Sequence, residues 1–153
     1  MKTWISKQRL YALFLMVGAS IFLFRTIRMM TIEQAFELLV PWVIALLLAE
    51  FLIDLLCFST SLIWFISNTR ERARLPLRLI AAAVILHAFR VLVYVLGRTG
   101  PWVNFDVKPE HHDTYTFEWF WVYFAATLAV LGVIGVIVIW QLIRHNRRRM
   151  QKS

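Results

Sequence analysis

The sequence predicts an all-α integral membrane protein: four transmembrane helices in an antiparallel bundle, with both termini cytoplasmic. Three observations lead there. Of 153 residues, 60% are hydrophobic and 17% charged, whereas a soluble domain is about half apolar and about a quarter charged. Four apolar runs are each long enough to cross a hydrocarbon layer about 30 Å thick. Lysine and arginine gather at alternate connections between those runs, as the positive-inside rule requires of cytoplasmic segments.

Length allows one domain, residues 1–153, built from helices over about 10–30, 32–68, 76–97 and 116–144. The first run follows Lys2, Lys7 and Arg9, the arrangement of a signal peptide. Its only small-residue stretch, Gly18-Ala19-Ser20, leads straight into Ile21 to Phe24, so the segment reads as a membrane helix and not a cleaved leader. Arg25 and Arg28 can snorkel from its far end to the headgroups.

Thr31 and Gln34 have capping-box spacing, which places the start of the second helix near Ile32. Pro41, inside that run, predicts a bend, and Ser67-Asn68-Thr69 with the charged stretch Arg70 to Arg74 ends it. Pro76 opens the third helix, because a first turn tolerates the missing N–H, and Gly97 closes it. A polar connection from Arg98 to Thr116 precedes the fourth run, which ends in a basic tail.

Charge placement sets the expected orientation. The N-terminal tail carries three Lys or Arg, the second connection four and the C-terminal tail five. The first and third connections carry two each, the latter beside four acids. The pattern is N-in, C-in throughout. Aromatic residues with polar edges, Trp102, Tyr115, Trp119, Trp121 and Tyr123 on one side and Trp64 and Trp140 on the other, fit the two interfaces.

The net charge of +8 would suggest nucleic acid in a soluble chain. Here the cations sit at the ends of apolar runs, which points to anionic lipids and away from nucleic acid. Arg144, Arg147, Arg148 and Arg149 form the lipid-facing tail of that set. A single cysteine, Cys57, excludes an intramolecular disulfide and a CxxC pair.

Ionisable residues inside two apolar runs carry the strongest functional signal. Glu50 and Asp54 are four apart and share one helix face, as do His87 and Arg90, three apart. Counting about 1.5 Å per residue from each helix end brings the two sets to matching depth. A lone charge at the bilayer centre costs about 2.5 kcal/mol or more, so the sets are expected to meet, Glu50 with Arg90 and Asp54 with His87. Such a cluster either fixes helix register, relays protons or orients a haem or quinone headgroup. A bis-histidine haem would need an axial ligand from another chain, because His87 is the only histidine within the apolar runs; no cofactor is expected on this chain alone.

Weaker signals lie outside that cluster. Glu110-His111-His112-Asp113 offers imidazole and carboxylate, the ligand types of zinc and copper, with His111, His112 and Asp113 as the candidate metal ligands. Ala125, Ala129, Gly132 and Val136, with Gly135 alongside, form a small-residue face suited to close helix packing. No Ser–His–Asp set, phosphate loop or HExxH motif is present, so catalysis by this chain alone is not expected. The expected role is an accessory or anchor subunit of a larger membrane complex, such as a respiratory or other electron-transport oxidoreductase of a bacterial inner membrane. The alternative is a small homo-oligomeric proton- or ion-coupled transporter or channel.

Overall fold

The computed structural model describes residues 6–150, with the side chains of all of them except 70, 100, 139 and 142–150. The described residues form helices α1 (Lys7–Thr31), α2 (Ala35–Leu38), α3 (Pro41–Ser67), α4 (Arg74–Leu96) and α5 (Trp119–Met150), with short 3₁₀ turns between them. No strand occurs among them, only an isolated bridge between Leu39 and Val107. Four segments, Lys7–Thr31, Pro41–Ser67, Glu71–Leu96 and Trp119–Val138, are long and apolar enough to cross a membrane. The chain is an integral membrane protein.

The second span begins later than the capping-box spacing predicts. Thr31 donates its hydroxyl to Ile27 O (2.8 Å) and does not cap a new helix. Gln34 instead takes a left-handed conformation (φ 50°) ahead of the single-turn α2. Leu39 and Val40 are extended, and Pro41 then starts α3 at its first turn, where no N–H is needed. The expected bend is therefore a break: a proline deep in a helix would clash with the carbonyl four residues back. At the other end Asn68, also left-handed (φ 49°), terminates α3.

The fourth span starts at Trp119, three residues beyond the expected 116, because residues 115–118 are outside any helix. This non-helical stretch brings both Tyr115 and Phe117 to Arg98, with ring centroids 4.4 and 5.5 Å from its guanidinium carbon. A helix there would turn the two rings apart.

α3 is the central element, packing against α1 on one side and α4 on another, while α5 packs against α4. Its buried face is Val43, Leu47, Glu50, Asp54, Cys57, Ser61 and Trp64. Those steps of four and three residues make a continuous stripe along a helix. α1 answers with small residues at a seven-residue interval, Ala12, Ala19 and Thr26, all fully buried. On α5, an added side chain at Gly132 would come within 3.1 Å of Val84 Cγ1, so the glycine allows α4 and α5 to approach closely, whereas Gly135 faces open space. Trp64 is buried against the helices and does not occupy an interface with lipid.

One end of the bundle is tied by backbone and packing. Val40 N–H donates to Asp106 O (3.1 Å) and Lys108 N–H to Leu38 O (2.9 Å). Ala35, Leu39, Val43, Leu47, Val93 and Val107 form an apolar cluster beneath these ties, with Met29, Met30 and Phe105 packed against it. At the opposite end the Ser6 hydroxyl, which caps α1, also donates to Asn68 Oδ1.

Candidate functional site

Glu50 and Asp54 on α3 meet His87 and Arg90 on α4 in the interior, with both acids fully buried and the two basic residues nearly so. Arg90 Nε lies 2.8 and 2.6 Å from the two oxygens of Glu50 and donates between them. Oε2 of Glu50 is also 3.3 Å from His87 Nδ1. The other ring nitrogen, Nε2, is 3.0 Å from Asp54 Oδ2. His87 thus bridges the two carboxylates, and its ring face is covered by Phe22 of α1 at 4.4 Å between centroids.

This geometry constrains the proton inventory. A neutral imidazole carries one donor and one acceptor nitrogen, and an ionised carboxylate only accepts. Two ring nitrogens that both face carboxylate oxygens are satisfied in two ways only: an imidazolium donating twice, or a protonated carboxyl donating to the acceptor nitrogen. Satisfying both nitrogens takes one proton more than neutral imidazole and two carboxylates supply; of the two contacts, the one from Nε2 to Asp54 has hydrogen-bond geometry. With Arg90 cationic, that proton makes the group of four electrically neutral. Losing it leaves one net negative charge in a low-dielectric interior, where charge is costly. Asp54 Oδ1 has no hydrogen-bond partner among the described residues, so one side of this carboxylate remains open to a further donor.

A second buried arginine has very different surroundings. Arg98, at the tied end, donates from its two terminal nitrogens to Asp106 Oδ1 (2.9 Å) and Oδ2 (3.1 Å), and once to Gly97 O (2.7 Å). Tyr94, Tyr115 and Phe117 surround the guanidinium, the first at 4.8 Å. Burial acts to lower its pKa, but Tyr115 and Asp106 outweigh burial and raise it above the ordinary value. The sequence pattern did not single out this pair. Its two members are eight residues apart in an irregular connection, so no helical or strand period links them.

The candidate metal ligands do not converge. His112 uses Nε2 on Val107 O (3.0 Å), Asp113 is exposed, and no group of three His, Cys, Asp or Glu among the described residues is placed to hold an ion. Adjacent histidines in a tight turn point apart, which accounts for the difference from the expectation. The side chains of Arg144, Arg147, Arg148 and Arg149 lie outside those described; the backbone there continues α5. Comparison with protein-family models, curated proteins and solved structures returns no match, so the site is read from its own chemistry.

Proposed function

We propose that this chain is a proton-handling subunit of a larger membrane assembly, in which Glu50, Asp54, His87 and Arg90 reversibly bind one proton inside the bilayer. The observation that carries this reading is the placement of both His87 ring nitrogens against carboxylate oxygens. Arg90 fixes Glu50, and the dissociable proton is shared between His87 and Asp54 as a property of the coupled group. The bundle is antiparallel with both termini cytoplasmic: the contact between Ser6 and Asn68 supports opposite directions for α1 and α3, and the charge count supports the orientation. A bacterial inner membrane and an electron-transport complex are the setting proposed for it, and anionic lipids are the partners proposed for its basic tail.

Infrared difference spectra of the protein in bilayers, recorded across steps of pH, test the proton site. The expected result is a carboxyl C=O band that rises as pH falls, is lost in Asp54→Asn and persists in Asp106→Asn. A spectrum without such a band would remove the proton reading. Mass spectrometry of the chain purified in mild detergent tests the assembly. Stoichiometric foreign subunits are expected, whereas a homogeneous oligomer of this chain alone would favour the transporter or channel, for which the same cluster would be the coupling site.

A further inference from the structure

The α3 stripe changes character at the cluster. Toward the tied end its next members are Leu47 and Val43, continued by Leu39, Val93 and Val107 in one apolar plug. Toward Asn68 they are Cys57, Ser61 and Trp64, all buried. Asp54 Oδ1, Ser61 Oγ and Trp64 Nε1 have no hydrogen-bond partner among the described residues, although Ser61 lies beside the Cys57 thiol.

Most other hydroxyls in these helices are satisfied locally, Thr26 Oγ1 of α1 being the other buried exception among the described residues. Ser20, Ser59, Thr60 and Thr127 each donate to the carbonyl four residues back, at 2.7–2.8 Å, the usual resource of a serine or threonine on an apolar helix. Ser61, on the same helix as Ser59 and Thr60, does not. A buried polar atom without a partner is destabilising, and three along one stripe indicate a partner that all of them share. Water fits: successive positions from Asp54 to Trp64 are about 4.5–6 Å apart along the axis, a gap that one bridging water closes. The line ends where Gln8 Oε1 and Arg9 Nε, also unpartnered, join Ser6 and Asn68.

Building on the proton site proposed above, we infer that it communicates with the aqueous phase at the Asn68 end only, through a water-conducting seam past Cys57, Ser61 and Trp64, and that the apolar plug closes it toward Arg98. A proton leaving Asp54 or His87 passes along hydrogen-bonded water to that end, with no covalent change in the seam residues. One-sided access turns a buried ionisable cluster into a sensor or coupling site that reads a single compartment.

The sole cysteine lies in the seam and reports on it without mutation. Silver ion, close to water in size and reactive toward thiols, is added in nitrate buffer to one side of vesicles of known orientation. The protein is then unfolded and alkylated, and the intact mass shows how much thiol survived. Silver on the Asn68 side is expected to abolish alkylation of Cys57, and silver on the Arg98 side to leave it intact. In a Cys57→Ala background, Ser61→Cys is expected to react from the Asn68 side and Val43→Cys to stay protected from that side. Modification from the Arg98 side, or protection of Cys57 from both, would overturn the seam. A protected thiol together with the pH-dependent carboxyl band overturns the seam and leaves the proton site standing; absence of the band overturns both.

Discussion

Arg90 and Arg98 are eight residues apart, both buried and both paired with a carboxylate, yet they are built for different purposes. Arg98 offers both terminal nitrogens to both oxygens of Asp106 and is enclosed by three aromatic rings. A two-pronged pair satisfies both carboxylate oxygens with charge-assisted bonds and fixes their geometry. Arg90 gives Glu50 a single nitrogen, while a histidine competes for the same carboxylate and reaches a second one. A two-pronged pair is a staple; a set of acceptors around an imidazole is a place to keep a movable proton.

The largest effect should come from breaking the staple. Arg98→Ala leaves Asp106 as a buried charge without its partner, and loss of one member of a buried pair costs about 3–5 kcal/mol. Thermal unfolding in detergent measures this, and an unchanged transition would mean that the pair contributes nothing to the tied end. Its pH behaviour is fixed by sign. A cation whose pKa is raised on folding contributes stability at every pH below its ordinary value and loses it only as pH rises through the raised one. The Arg98 contribution is therefore flat over the range in which a histidine titrates, so any pH dependence of stability there belongs elsewhere in the chain.

Gly97→Ala should be the next most damaging change. Its added carbon would overlap the Asp106 carboxylate, and overpacking of this kind costs about 1–3 kcal/mol. The same unfolding experiment reads it, and the infrared carboxyl band should survive in the folded variant. Loss of the band would show that the two regions are coupled and not separate.

How much of this was legible in the sequence follows the same division. Glu50, Asp54, His87 and Arg90 announce themselves because helical spacing converts positions four and three apart into shared faces, and because charge inside an apolar run stands out. The apolar lengths of the four spans were equally plain. Thr31 and Gln34 misled because a capping box specifies only local geometry, and the chain instead uses Val40 to bond Asp106, 66 residues away. The Arg98 site was invisible for a related reason: Tyr115 and Phe117 both reach it from a stretch that stays out of the helix, a choice made by tertiary contact. The seam residues were individually ordinary; Ser61 gains meaning only beside Ser59 and Thr60, whose hydroxyls are satisfied.

The smallest expected change sharpens the cluster itself. Phe22→Leu removes the tilted ring packed against His87, an aromatic contact worth about 0.5–1.5 kcal/mol beyond the area it buries. Its main consequence should be a displaced titration of the carboxyl band, with only a modest loss in unfolding temperature. A band unmoved by this substitution would mean that α1 covers the imidazole without influencing its proton.

The most direct test of the proton site is nitrogen-15 nuclear magnetic resonance of His87 in bilayers as pH is varied, with His87→Gln identifying its signals among the four histidines. As pH falls the two ring-nitrogen signals should convert reversibly from one pattern to another, as the proton shared with Asp54 is taken up. Asp54→Asn should displace that conversion, and Asp106→Asn should leave it in place. A His87 spectrum unchanged across the whole stable range of pH would contradict a dissociable proton in the cluster and reduce all four residues to a structural ion-pair network.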